Sequence, residues 1–323
     1  MNFLQTEIRQ WARLGPRAMF GKFITDLAKK NKKIIVLSAD LGRSSGLARF
    51  KIEFPNQYIS VGISEQNLIG VASGLASEGF KVFVTSFAPF LSMRASEQIR
   101  MNLGYMKHNV NLVALGSGLS MGFLGNSHFG LEDLAIMRAI PNLNILCPAD
   151  CTELKKILED CSNNDRGPSY IRLTGVPGSK NLYDKNYKYK HGKNVTILDG
   201  HDLLVLSYGS ILGEIKKSAV DLKSKVSIKL ININTIKPID KNILYDLKKF
   251  RNILCVEEHS SIGGIKSLLS ELIVKHNIDT NIQFISLPDK FGPTGDYNFL
   301  LKHYGFDHNN ITKKILMIMN KIL

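Results

Sequence analysis

The sequence predicts an α/β protein of two domains, each a mainly parallel sheet with helices on both faces. Three observations carry this. From the amino terminus to about residue 176, short apolar runs of strand length alternate with segments of helical periodicity, the pattern of a sheet covered on both sides. The same alternation restarts at Val195. Between the two, residues 177–194 are polar, aperiodic and rich in turn formers, which reads as a solvated interdomain linker. With 323 residues, 44% apolar and 22% charged, the chain is long enough to bury two cores.

Taken in order, helical periodicity over residues 17–29 leads to a strand at 34–39. A strand-like run at 58–61 stops at Gly62, and helical spacing starting at Ser64 turns Leu68, Ile69, Val71, Ala72 and Leu75 inward. Glu65 then stands in the first turn of a helix at the end of a strand, where open α/β sheets bind ligands. By position alone it also satisfies the helix macrodipole after a Ser-led cap. Residues 79–87 read as turn then strand, and 88–100 as a helix opening on Pro89. Glu65, Phe87 and Phe90 thus converge at successive strand ends, an arrangement that suits a flat nitrogen heterocycle stacked on one face and held through a ring nitrogen.

Further strands are expected at 110–115, 144–147 and 169–173, and in the second domain at 203–206, 226–231, 253–256 and 283–287. Ser207-Tyr208-Gly209-Ser210 opens a helix there, as a cap or as an anion site. The formal net charge of +14 is spread over scattered lysines without a nucleic-acid signature, so an anionic substrate or an acidic partner surface explains it as well, and nucleic acid is not expected. Cys147, Cys151, Cys161 and Cys255 read as core thiols, not as a disulfide scaffold or a metal site. No apolar run reaches membrane-spanning length, and the first residues are too polar for a signal peptide, so a cytoplasmic location is expected.

Three motifs then stand in order: Ile63-Ser64-Glu65-Gln66-Asn67, Phe87-x-x-Phe90-x-x-x-Arg94-Ala95, and His128-x-x-x-Glu132-Asp133-Leu134-Ala135. Together they resemble the pyrimidine-binding half of transketolase. The second half resembles the transketolase C-terminal domain through Glu257-Glu258-His259 before Gly263-Gly264, and through the turn Gly292-Pro293-Thr294-Gly295. The resemblance implies a pyrimidine domain over residues 1–176, a linker at 177–194 and a C-terminal domain over 195–323. It also implies thiamine diphosphate as cofactor and transfer of a two-carbon ketol unit from a ketose to an aldose.

In that family the roles would fall as follows. Glu65 is the carboxylate against the pyrimidine nitrogen, Phe87 and Phe90 form the stacking wall, and Arg94 belongs to the same cofactor-binding segment. His128 lies near cofactor and substrate hydroxyls, with a helix-cap or core histidine as the alternative. Arg17 and Ser44 resemble substrate-phosphate residues, with a surface position as the alternative for each. The Gly-Asp-Gly motif that brings Mg²⁺ to the cofactor phosphates is missing: Asp199-Gly200 and Gly295-Asp296 lie in the wrong half. The resemblance therefore implies one chain of a split enzyme, with the metal ligands on a separate N-terminal subunit and an α2β2 assembly.

Where many transketolases carry a histidine, an aspartate and an arginine, this sequence has Gly116, Leu124 and Gly175. Losing polar contacts to substrate is expensive, so a modified or nucleotide-linked sugar is expected in place of the usual sugar phosphates. Other expectations are a deoxyxylulose-phosphate synthase, a 2-oxo acid dehydrogenase β chain or a non-catalytic paralogue.

Overall fold

A computed structural model describes residues 3–320, with side chains from residue 6 onward. The first half contributes strands β1 (Ile34–Ser38), β2 (Tyr58–Ser60), β3 (Lys81–Phe87), β4 (Val110–Leu115), β5 (Asn144–Leu146) and β6 (Ser169–Arg172). They lie in the order β2-β1-β3-β4-β6-β5, and every pair is parallel. Strands β1, β4, β5 and β6 are buried at every position, as continuous apolar strands under helices on both faces must be. The second half supplies β7 (Val195–Leu198), β8 (Leu203–Ser207), β9 (Ile228–Asn232), β10 (Thr235–Lys237), β11 (Asn252–Ser260) and β12 (Asn281–Leu287). Its sheet runs β12-β11-β8-β9-β7, parallel except for β7.

The fold departs from the sequence-based expectation in four places. Strand β10 leaves the second half and pairs antiparallel with β5, closing the far edge of the first sheet. The first helix spans Phe3–Lys30 with a break at Gly15, whose φ of 79° only glycine adopts freely; Pro16 starts the second part. The segment after Pro89 is no regular α-helix but two wide π turns, Phe90–Arg94 and Ile99–Tyr105, around a short α turn at Ser96–Gln98.

Last, the linker contains no helix or strand and half of its residues are exposed, but it is docked along its length and not free in solvent. Gly178 N donates to the Ala12 carbonyl at 2.8 Å, and Leu182 N and Tyr183 N donate to Asp150 Oδ2 at 2.8 and 2.9 Å. Tyr183 and Tyr187 stack with centroids 4.0 Å apart over the buried Glu153. That carboxylate accepts from the Tyr187 hydroxyl, from Ala149 N at 2.8 Å, from Asn234 Nδ2 at 2.8 Å and from Asn232 Nδ2 at 2.9 Å.

The halves share one interior. Leu204, Leu206, Tyr208 and Ile253 of the second half belong to the same apolar cluster as Leu112, Ala114, Leu134 and Ile145 of the first. A fully buried ion pair lies against this seam: Arg172 Nε donates to Asp133 Oδ2 at 2.8 Å, both side chains having no exposure. Tyr170 donates to the same oxygen at 2.9 Å, while Arg172 Nη2 reaches the carbonyls of Gly130 and Glu258 at 2.9 and 3.0 Å. One guanidinium on β6 thereby fastens the first sheet to β11. All four cysteines are buried free thiols, and no cluster of three or more metal-capable side chains occurs among the described residues. No helix among them is long and apolar enough to cross a membrane.

Two outcomes follow from this interior. Asp133→Ala strands the Arg172 charge without its partner, so unfolding in urea should show a loss of about 3–5 kcal/mol. Burial pushes Glu153 up to about 7, above the ~4.3 of an exposed glutamate. The folded chain therefore keeps a proton there that the unfolded chain loses, and this stabilisation disappears as pH rises from about 4 through about 7. Glu153→Gln removes the titration, so its urea midpoint relative to the native chain should improve from pH 5 to pH 8.

Candidate active site at the carboxyl edge of the first sheet

Strand β1 connects to β2 on one side and the chain then returns to β3 on the other, which makes the β1/β3 boundary the switch point of the sheet, where α/β proteins hold ligands. The loops leaving β1, β2, β3 and β4 gather at this edge. Glu65 opens the helix Glu65–Ser77 that crosses from β2 to β3, and is only 2% exposed. Ser64 occupies the cap position without capping: its hydroxyl donates back to the Val61 carbonyl at 2.9 Å. Glu65 likewise is not a surface acid facing the dipole. Its Oε1 accepts from Ser86 Oγ on β3 at 3.2 Å and its Oε2 from Arg94 Nη1 at 2.8 Å. A carboxylate has about four acceptor positions, so two remain for a further donor.

Phe87 ends β3 and Phe90 starts the first wide turn; their rings meet nearly perpendicular, 5.9 Å apart. The His128 ring stands edge-on to both, at 5.4 and 5.2 Å, and Ser127 Oγ lies 3.0 Å from its Nδ1. The Arg94 guanidinium lies 4.3 Å from the Phe90 centroid, so Glu65, Arg94, Phe90, Phe87 and His128 form one continuous chain of contacts. The wide turns matter here, because they bring Arg94 back over Phe90 and onto Glu65.

Arg17 and Ser44 are not joined to that chain. Arg17 is half-buried just past the break at Gly15, and burial lowers its pKa. Ser44 is exposed on the loop after β1. The two segments do touch, since a side chain at Gly46 would strike the Arg17 carbonyl.

The sequence departures have local causes. Gly116 has a φ of 67°, and a Cβ there would run into Met121 and Phe87. Ser179 and Ser210 crowd Gly175 in the same way, and Leu124 is exposed on the loop before His128. The Ser207–Ser210 turn does not supply the helix cap expected of it: Ile211 holds the cap position of the helix Leu212–Asp221 without a side-chain cap, and Ser210 Oγ lies 3.1 Å from the Tyr297 hydroxyl. Sequence reasoning passed over Ser86 and Ser127, the partners of Glu65 and His128. Two polar residues, Thr85 and Ser86, directly before Phe87 in a strand that is otherwise apolar after Lys81 were the available sign for Ser86.

Fold and site together define a two-domain α/β protein with a carboxylate-and-aromatic cleft at a sheet switch point. Family models agree: the transketolase pyrimidine binding domain matches residues 14–175, and the transketolase C-terminal domain matches residues 192–311. The chain belongs to the transketolase family. It is 36% identical over 310 residues to a putative transketolase C-terminal section of Methanocaldococcus jannaschii, covering 95% of this chain and 97% of the relative. It is 30% identical to one of the subunits of the apulose-4-phosphate transketolase of Phocaeicola vulgatus, covering 94% of this chain and 97% of that subunit. A solved structure described as a split gene transketolase, inactive beta4 tetramer, superposes with a TM-score of 0.83 at 30% identity, covering 94% of this chain and 97% of that one.

Arg94→Ala leaves the buried Glu65 carboxylate with Ser86 alone. Because the Arg94 side chain is 47% exposed, solvent screens part of the pair, and denaturation should show a loss of about 1–2 kcal/mol.

Proposed function

We propose that this chain is the C-terminal subunit of a two-chain transketolase that uses thiamine diphosphate and transfers a two-carbon ketol unit from a ketose to an aldose. The observation that carries this reading is Glu65: a buried carboxylate with unused acceptor positions beside a wall of Phe87 and Phe90. That donor set fits an aminopyrimidine, whose ring nitrogen needs a carboxylate partner and whose face needs aromatic contact. Thiamine diphosphate, when bound, supplies a carbon nucleophile that carries the two-carbon unit between sugars.

The chain's own residues do the rest. Glu65 holds a proton at the pyrimidine nitrogen, and Arg94 and Ser86 fix the orientation of its carboxylate. Phe87 and Phe90 keep water from one face of the ring. Ser127 Oγ, 3.0 Å from His128 Nδ1, orients the ring, and in the tautomer where the serine donates, Nε2 carries the proton toward a substrate hydroxyl. Arg17 and Ser44 serve the distal end of the sugar. Mg²⁺ and the phosphates are held by an N-terminal subunit carrying Gly-Asp-Gly, in a cytoplasmic α2β2 assembly. The relatives named as a C-terminal section and as a single transketolase subunit support a divided enzyme. Gly116, Leu124 and Gly175 favour a modified or nucleotide-linked sugar over the common sugar phosphates.

Purified with a Gly-Asp-Gly subunit, Mg²⁺ and thiamine diphosphate, the pair should turn over a ketose and an aldose, while neither chain does so alone. Glu65→Ala should lower kcat by about 10²–10³-fold, the size of a lost preorganised electrostatic contact. Activity from the isolated chain, or an unaffected Glu65→Ala pair, would sink the proposal. Xylulose 5-phosphate with ribose 5-phosphate serves as the reference couple, and ordinary turnover on it would remove the case for an unusual sugar.

A further inference from the structure

We infer that the second domain is the positioning device for His128: Glu258 and the 292–295 turn clamp the loop that carries the imidazole at its base and at its tip. The inference rests on the role proposed above for His128. The loop is pinched where Gly118 and Gly130 exchange backbone hydrogen bonds of 2.8 and 3.2 Å. At that base, Leu119 N donates to Glu258 Oε1 at 2.6 Å, and Tyr297 donates its hydroxyl to Glu258 Oε2 at 2.9 Å. Gly118 has a φ of 69°, and a Cβ there would collide with the Glu258 carboxylate, so only glycine admits so close an approach. Arg172 closes the same corner by donating from one nitrogen to the carbonyls of Gly130 and Glu258.

At the tip, Asn126 pairs its side-chain amide with the Gly292 backbone, donating at 3.0 Å and accepting at 3.1 Å, and Gly295 N donates to the Gly122 carbonyl at 3.2 Å. Every one of these anchors except Arg172 comes from the second half of the chain. Between them, the loop's own links are short turns, including His128 N to the Gly125 carbonyl at 3.0 Å. Glu258 accepts from Leu119 N on the loop with one oxygen and from the Tyr297 hydroxyl with the other, so it ties the loop base to the second domain and fixes it against sliding. With base and tip both fixed, the imidazole is held edge-on to Phe87 and Phe90. Glu258 is therefore a positioning residue acting through His128.

The test compares Glu258→Ala, Glu258→Gln, Asn126→Ala and Tyr297→Phe in the full chain, reading amide hydrogen exchange by mass spectrometry. Glu258→Ala should speed exchange of the peptide covering residues 117–128 by about ten-fold or more while the 65–77 helix keeps its protection. Glu258→Gln, which retains an acceptor for Leu119 N, should recover most of it. In the reconstituted pair, Glu258→Ala should lower kcat about ten-fold or more with little change in the KM for thiamine diphosphate, and should add nothing to His128→Ala in the double variant. Unchanged exchange at 117–128, or losses that simply add to those of His128→Ala, overturns the inference. If Glu258→Ala does not fold, Asn126→Ala and Tyr297→Phe decide by the same two readouts. Should the native pair show no turnover, the functional reading fails, and the exchange result alone still accepts or rejects the clamp.

Discussion

The Arg172–Asp133 ion pair is the constraint on which the rest of the molecule depends. Neither side chain touches solvent, so each would cost several kcal/mol to bury alone, and the geometry must satisfy both at once. That requirement fixes β6, the start of the helix Asp133–Ala139, the carbonyl of Gly130 and the backbone of β11 relative to one another. The loop bearing His128 hangs from this corner. A buried pair of this kind adds little net stability compared with apolar packing. It does make one arrangement of the two halves far better than its neighbours, and the loop that carries His128, anchored from the second half, needs that.

The same logic of polar groups fixed in an apolar setting governs Glu65. Its carboxylate lies at the crossing point of a sheet, held by a serine on the neighbouring strand and an arginine from a wide helical turn. The turn is what makes the contact available. A regular α-helix after Pro89 would present Arg94 at a different angle, whereas the π turns carry it over Phe90 and back to Glu65.

Much of this is legible in the sequence because it is local. The alternation of buried strands and helices is written as composition and period, and the Glu65, Phe87–Arg94 and His128–Ala135 motifs lie on elements the pattern locates. What is not legible is tertiary. Thr235-Ile236-Lys237 is too short to show a period, and only its pairing with β5 makes it a strand. The tyrosines of residues 177–194 look solvated in sequence, because Glu153, Asn232 and Asn234, which hold them, lie far off in the chain. Asp133 is visible as part of a motif, but its partner Arg172 is 39 residues away and carries no local sign. The π turns close their hydrogen bonds five residues back, not four, but each is a turn or two long, too short for its wider period to show in the apolar pattern.

Strand β10 carries a consequence for how this polypeptide can be divided. Cutting at residues 177–194, where composition alone suggests a natural joint, would strip β5 of its neighbour and leave the first sheet with an open, fully buried strand as its rim. Such a rim invites pairing with foreign chains. The two halves are thus joined through a shared sheet, and a cut between them would expose backbone that the whole chain keeps paired.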